Sequence, residues 1–317
     1  MKYIFLFLID SLAYGATFIY GSTGEIITEK SGHLNLGIPG IMCMGGAGGC
    51  LVLNMIGKSN LPHFLIVLLG ILGAFVSAML MGLIYSFLTV TLRANQNVTG
   101  LALTIFGVGL MKVIMAGLDM TKYLVKPKKY FRFPFADTKN AFQYLGCMFF
   151  LAIIIAVIAS IILYKTKVGL NLRAVGENPA TADAVGINVT KYKYVATCVG
   201  SGIAGLGGLY YIVDYMGSPE AYLSIEALGW LSIALVIFAL WKPHMTILGS
   251  TIFGILNSIN AYFTQFTGIV VSVAMGKIIQ MLPYVVTVVV LILTSVRNKR
   301  ENQPPQSLGL SYFREER

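Results

Sequence analysis

"NAFQYLGCMFFLAIIIAVIASIILY", residues 140–164, runs for 25 residues without an acid or a base. A helix needs about 20 mainly apolar residues to cross the hydrocarbon of a bilayer. A membrane-crossing strand needs only about ten and alternates its apolar positions, whereas this run is apolar throughout, so it reads as a helix. Residues 34–57, 59–92, 94–111, 194–213, 243–276 and 278–296 are uncharged in the same way. Residues 3–24 add a run broken only by Asp10, and 227–241 add a short one of 15 residues. The chain is 56% hydrophobic and 11% charged, with a mean hydropathy of +0.78. The expected fold class is all-α: one polytopic transmembrane bundle over residues 1–317, with about nine spans, eight to ten at the limits. Lys2, an apolar core and Ala13-Tyr14-Gly15 have the form of a cleavable signal peptide. Apolar residues continue past that point, so a retained first span is expected.

The net charge of +10 would suit nucleic acid if it were clustered on a soluble surface. Here the basic residues sit between apolar runs and at the tail, which is the pattern of a chain oriented by its charges in a membrane, and no nucleic-acid partner is expected. The run 140–164 crosses once, so the segments 119–139 and 165–193 lie on opposite faces. Charge does not separate them, with six Lys or Arg in the first and five in the second. Four further crossings lead from the second segment to "RNKREN" at 297–302. Loop 165–193 and tail 297–317 then share a side, and the positive-inside rule makes that side cytoplasmic. Segment 119–139 is expected outside. Cys43, Cys50, Cys147 and Cys198 lie in apolar runs with no CxxC spacing, so neither a disulfide nor a metal site is expected.

Glycine contributes 34 residues and clusters in "GIPGIMCMGGAGG" at 37–49 and "GSGIAGLGG" at 200–208. Small residues at three- or four-residue spacing let membrane helices approach closely. Pro39 in the first cluster suggests a broken helix start at 30–40 beside a substrate path, or else simple loop-to-helix punctuation. "GSGIAG" at 200–205 fits the GxGxxG pattern but has no strand before it, and "GKS" at 57–59 lacks the first glycine of a phosphate loop, that position being Val52. The chain binds no nucleotide by these motifs, so an ATP-driven function needs a separate subunit. His33, His63 and His244 fall at span edges with no partner His or Cys, and read as interfacial residues rather than catalytic ones. Asp10 and Lys112 are charges within apolar runs, which face a bundle interior or water path, or snorkel.

One polar stretch stands out, "RAVGENPATADAVGIN" at 173–188. Asn178 can cap a helix, Pro179 suits its first position, and Gly186 suits a left-handed exit. The helix expected over 179–185 has about two turns, roughly 10 Å. So short a helix is marginal alone and needs a packing partner. Lys165, Lys167, Lys191 and Lys193 flank it, and a helix tied between two crossings transmits a push to both.

Together with "TEKSGHLNLGIPGIMCMGG" at 28–46 and "RANQNVTGLAL" at 93–103, this stretch resembles the permease subunits of bacterial ABC importers of the branched-chain amino acid and ribose type, and within them the nucleoside-uptake branch. The resemblance implies a type II importer-like bundle in the bacterial cytoplasmic membrane. The chain would be no enzyme and hold no cofactor; its partners would be an ABC ATPase, a second, unlike permease and a substrate-binding lipoprotein. It further implies that Arg173, Glu177, Asn178, Pro179, Thr181, Asp183 and Gly186 form a cytoplasmic coupling helix docked on the ATPase. Where that family commonly reads "SERSGVVNLGIEG", this chain has His33 and Pro39 in place of an apolar and an acidic residue. A nucleoside offers a flat base and a polyol, which aromatic and amide side chains can meet. Tyr14, Asn35, Gly37, Gly40, Asn97, Trp230 and Asn257 are the candidates along its path. Simple sugars or branched-chain amino acids are alternative cargoes, and a secondary transporter working alone is the alternative mechanism.

Overall fold

The computed structural model describes residues 2–56, 61–118, 145–267, 272–297 and 303–313. The "GKS" triplet, the segment 119–139 and most of "RNKREN" lie outside the described residues.

Eleven α-helices and no strand occur among the described residues. They are α1 (Lys2–Glu29), α2 (Ile38–Ile56), α3 (His63–Ser86), α4 (Gln96–Ala116), α5 (Cys147–Lys165), α6 (Lys167–Glu177), α7 (Pro179–Ala184), α8 (Val189–Leu209), α9 (Ile225–Phe238), α10 (Pro243–Thr267) and α11 (Val273–Arg297). Single π-helical stretches extend α3 over Phe87–Thr91 and α8 over Tyr210–Met216, and a 3-10 stretch, Pro219–Ser224, leads into α9. Each of the nine apolar runs carries a long helix. Seven are long and apolar enough to cross a membrane by themselves; α10 and α11, 25 residues each, fall outside those seven, so the expected nine is an approximate count.

The bundle is built around α1, α2 and α8. Within their apolar windows α2 and α8 are 78% buried, against 28% for α3. On α3, Leu72, Val76, Leu80 and Leu83 are exposed along one face, while Ile66, Gly70, Ala74, Ala78 and Met81 are buried on the other. An apolar stripe of that kind needs lipid rather than water beside it. The chain is a multi-pass membrane protein.

The glycine clusters put α2 and α8 together. A Cβ added at Gly45 would stand 2.3 Å from the Cα of Gly205, so the two backbones touch directly. Gly24 and Gly200 do the same between α1 and α8, where a Cβ on Gly24 would lie 2.2 Å from the Gly200 carbonyl oxygen. Such approach supplies the dispersion contacts that hold membrane helices together where water cannot drive association.

Pro39 does not break a helix. It sits at the second residue of α2, where its missing N–H leaves no bond unmade, so loop-to-helix punctuation is the outcome. The preceding segment 30–37 is irregular and almost entirely buried. Its backbone is stitched by side chains from three helices: Gln96 Oε1 accepts from Leu34 N at 2.8 Å, Glu25 Oε1 accepts from Asn35 N at 3.1 Å, Tyr85 OH donates to Leu34 O at 2.7 Å, and Thr104 donates to Leu36 O at 2.9 Å. Irregular backbone survives among membrane spans only when it is satisfied in this way.

Candidate functional site

The C-terminal ends of α1, α5 and α9 and the N-terminal ends of α2, α8 and α10 share one end of the bundle. Trp241 Nε1 donates to Glu29, Ser160 lies 3.0 Å from His244 Nδ1, and Thr197 Oγ1 lies 3.1 Å from His33 Nδ1. His33 corrects an expectation here: it lies between spans, but at 1% exposed it is a core residue and not an interfacial one. Its burial pushes its pKa well below the ordinary 6.5, which keeps the ring neutral. Lys112, by contrast, is exposed one turn before the end of α4, the position from which a lysine snorkels.

The two-turn helix projects from this same end. Asn178 Oδ1 accepts from Thr181 N at 3.0 Å, Pro179 takes the first position, and Gly186 exits at φ +84°. Gly186 N donates to Asp183 O and Ile187 N to Ala182 O, both at 3.0 Å, which closes the C-terminal carbonyls. Ala182 is buried on Val175 and Val189, with Ile187 and Tyr312 packed around them, so α7 is clamped to the body on its inner side. On its outer side Glu177, Asn178, Ala180, Thr181, Ala184 and Gly186 are exposed, and Val185 is 72% exposed. A rigid polar knob with an apolar tip is a shape suited to insertion in a partner's groove.

Two of the seven sequence-derived coupling residues do not face outward. Arg173 lies with its guanidinium 5.1 Å from the ring centre of Tyr164, and Asp183 accepts from Tyr312 OH at 2.9 Å. Both are half-buried and brace the helix against the bundle. Pro179 is also half-buried. Glu177, Asn178, Thr181 and Gly186 remain on the open surface.

Two further parts of this face escaped sequence reasoning. One is α6, whose Leu172 and Val175 bury against the bundle. Their three-residue spacing was the available signal. The other is the tail, which crosses the face as a strap. Ser307 N donates to Gly176 O at 3.0 Å, Gly309 N to Gly32 O at 3.1 Å, and Gln96 Nε2 to Leu310 O at 3.3 Å. Lys30, 9% exposed, lies under this region. Burial pushes its pKa down to about 8; Glu177 and Glu29 resist the shift, while Arg173 and Lys242 add to it.

Of the substrate-path candidates, Tyr14 lies in an aromatic cluster. Phe18, Tyr215 and Tyr211 surround its ring at centroid distances of 5.4, 5.6 and 6.3 Å. Tyr211 and Tyr215 stack at 5.7 Å on the π-helical end of α8, and Phe253 of α10 closes on Phe18 at 6.1 Å. Asp10, one turn before Tyr14, accepts from Tyr215 OH at 3.0 Å, which gives this intramembrane charge its partner. Asn257 is one turn beyond Phe253 on α10 and bonds that residue's carbonyl at 3.3 Å. The other candidates lie elsewhere. Asn35 is fully buried and its Oδ1 accepts from Gly37 N at 2.9 Å, so it organises the 30–37 segment. Gly37 and Gly40 pack on the backbone of α4, Asn97 is exposed in the first turn of α4, and Trp230 is half-buried on α9. The tyrosines Tyr211 and Tyr215, four residues apart in "YYIVDY", were the missed signal.

Comparison with known proteins gives this geometry its context. The nucleoside ABC transporter permease protein NupC of Lactococcus lactis is 31% identical over 295 residues, covering 90% of each chain. The guanosine ABC transporter permease protein NupQ of Bacillus subtilis is 29% identical over 269 residues, 79% of this chain and 80% of that one. "Putative glucose ABC transporter permease protein TsgC13" of Haloferax volcanii is 27% identical over 332 residues, 97% of this chain and 98% of that one. A solved structure, "An inward-facing conformation of a putative metal-chelate type ABC transporter", superposes with a TM-score of 0.50 at 13% identity over 92% of this chain and 85% of its own, a likeness of fold alone. The family described as branched-chain amino acid transport system, permease component, matches residues 7–294, and the chain belongs to that family.

Proposed function

We propose that the chain is one of two unlike permease subunits in a bacterial importer that carries nucleosides into the cell, with ATP hydrolysed by a separate subunit that grips α7 from the cytosol. A binding lipoprotein would deliver the solute from outside. The observation that carries the ATP-driven reading is the build of α7: capped at both ends, clamped on its inner face through Ala182, and open on its outer face from Glu177 to Gly186. An ATPase can only shift the permease between outward and inward access by binding the two states unequally, and a rigid handle is what converts docking into such a difference.

The nucleoside cargo is supported by the relatives NupC and NupQ and by the Tyr14 cluster. Tyrosine rings in offset or edge contact can exchange one another for a flat base, while Asp10 and Asn257 on neighbouring helices offer acceptors and a donor for a ribose. A sugar cargo is the second reading, favoured by the likeness to TsgC13. Proteoliposomes containing this chain, the second permease and the ATPase, loaded with ATP on the coupling side, should accumulate labelled guanosine or uridine in competition with excess glucose. Tyr14→Leu should raise the half-saturating nucleoside concentration several-fold. Uptake that glucose abolishes would assign a sugar, and uptake without ATPase would overturn the ATP-driven reading.

A further inference from the structure

Two cavities flank the outer ridge of α8 at the end of the bundle that carries α7. The first, of about 610 Å3, is polar and basic: Arg93, Lys191 and Lys193 line it together with Thr190 and Tyr194. The second, of about 550 Å3, is an apolar groove between α5 and α8, lined by Ile155, Ile162, Leu172, Val199 and Ile203. Lys191 and Val195 belong to both, so the basic cavity opens onto the groove across a shared ridge.

Lys193 makes the first cavity a site rather than a crease. It is 3% exposed, and its ammonium makes no hydrogen bond or ion pair with any described residue. The side chain is buried up to its ammonium, which reaches the cavity, and an anion there offsets the hydration lost around it. The first turn of α8 adds the positive end of its dipole. Among the described lining residues Asp183 is the one carboxylate, and it is engaged by Tyr312 OH at 2.9 Å. His33 also lines the cavity, with its Nδ1 turned to Thr197. Lys191 and Lys193 together against a carboxylate already engaged by Tyr312 favour a ligand with negative charge.

The groove narrows the class of ligand. From Lys191 to Ile203 it follows α8 for twelve residues, about 18 Å at the helical rise. That is close to half of a hydrocarbon core about 30 Å thick, the depth of one leaflet. A free phosphate or an acidic side chain would fill the polar cavity and leave the groove unused. A molecule with an anionic head and a hydrocarbon tail uses both, and the ridge between them as well.

We propose that the two cavities form one binding site for an anionic phospholipid of the leaflet on the α7 side, its phosphate held by Lys193 and Lys191 and an acyl chain laid along Val195, Val199 and Ile203. Gly186 and Ile187 beyond α7, and Ser311 and Tyr312 of the tail, border the headgroup cavity. The bound lipid therefore steadies the segment by which α7 is attached. This assignment holds whichever solute the transporter carries.

Native mass spectrometry of the full chain, delipidated in mild detergent and titrated with phosphatidylglycerol or phosphatidylcholine of the same chain length, tests it. One phosphatidylglycerol should be retained at least tenfold better than phosphatidylcholine. Lys193→Met should lower that retention fivefold or more. Lys191 is exposed, so Lys191→Gln leaves folding intact and should lower retention as well. Val199→Trp fills the groove without touching a charge and should do the same. Equal retention of the two lipids, or unchanged phosphatidylglycerol retention in both Lys191→Gln and Val199→Trp, overturns the proposal. Displacement of the lipid by millimolar glycerol phosphate, which has the head without the chains, would assign a free-anion site and overturn it too.

Discussion

Loosening both ends of α7 tests whether its rigidity carries the force. In Asn178→Ala the acceptor that holds Thr181 N at 3.0 Å is lost, worth about 1 kcal/mol for an N-cap. Gly186 stands at φ +84° with nothing within 4 Å of where a Cβ would be, so Gly186→Ala costs only the left-handed conformation, again about 1 kcal/mol. The two residues act at opposite ends and share no partner, so their effects add to about 2 kcal/mol, a factor of roughly 30 in the fraction of ordered helix. A helix of six residues has no stability of its own to absorb that loss, and the burial of Ala182 and the bond from Tyr312 to Asp183 are what still hold it. In proteoliposomes with the ATPase, solute moved per ATP hydrolysed should fall tenfold or more while hydrolysis continues. Thermal unfolding of the chain should not move, because neither residue packs among the spans. Gly186→Asn, which tolerates the left-handed backbone, should restore coupling to the Gly186→Ala background. Wild-type solute per ATP in the double variant would refute the argument that a rigid α7 carries the force.

Two further outcomes follow from packing and from charge. Gly45→Ala puts a methyl 2.3 Å from the Gly205 Cα and forces α2 from α8, costing about 1–3 kcal/mol or more, whereas Gly109→Ala meets nothing within 4 Å; the fraction surviving heat in detergent, read by size-exclusion fluorescence, should drop only for Gly45→Ala, and equal survival would count against the close approach. Lys30 has a folded-state pKa near 8 against its ordinary 10.5, so between those pH values the unfolded chain holds a proton that the folded chain has released. Stability should therefore rise with pH across that window and level off above it, and the rise should be absent in Lys30→Met; a wild-type difference curve that is flat from pH 8 to 10.5 would refute the burial argument.

The spans were legible because continuous apolarity is a local property: every apolar run carries a helix, and the caps of α7 were readable from Asn178, Pro179 and Gly186. Glycine spacing likewise announced close helix packing, though not that α2 would meet α8. Segment 30–37 was not legible as core. Its satisfaction comes from Tyr85, Gln96 and Thr104, which lie 51, 62 and 68 residues away in the chain, and bonds from side chain to distant backbone leave no periodic trace. The same physics gives Asn35, named as a substrate-path candidate, a structural part. An amide that can meet a ribose can equally close a turn, and Asn35 closes the one before α2. The resemblance places Arg173 and Asp183 in the coupling helix, but not their inward contacts with Tyr164 and Tyr312, since a tyrosine 129 residues from its aspartate gives no sign in either local sequence.

For the coupling role proposed for α7, these inward bonds supply a path to the spans. Helix α7 is continuous with α6, and Gly176 O at the end of α6 accepts from Ser307 of the tail. The tail in turn bonds Gly32 and Gln96, and Arg93 covers the ring of Phe313 at 4.9 Å. Gly32 opens the segment 30–37, whose other bonds reach α1 through Glu25, α3 through Tyr85 and α4 through Thr104. A Cβ at Gly176 would stand 2.3 Å from the Lys30 carbonyl, so α6 also presses directly on that segment. Helix α7, the tail and the turn between α1 and α2 are therefore bonded to one another, and displacing any one of them breaks bonds to the others. In the Glu29–Trp241 contact the same body touches the α9–α10 turn, where Leu240 and Trp241 stand at φ +54° and +55°, a strained pair held by its surroundings. Under the proposed coupling, this continuity would link the handle to α1, whose Tyr14 packs in the aromatic cluster with Tyr211.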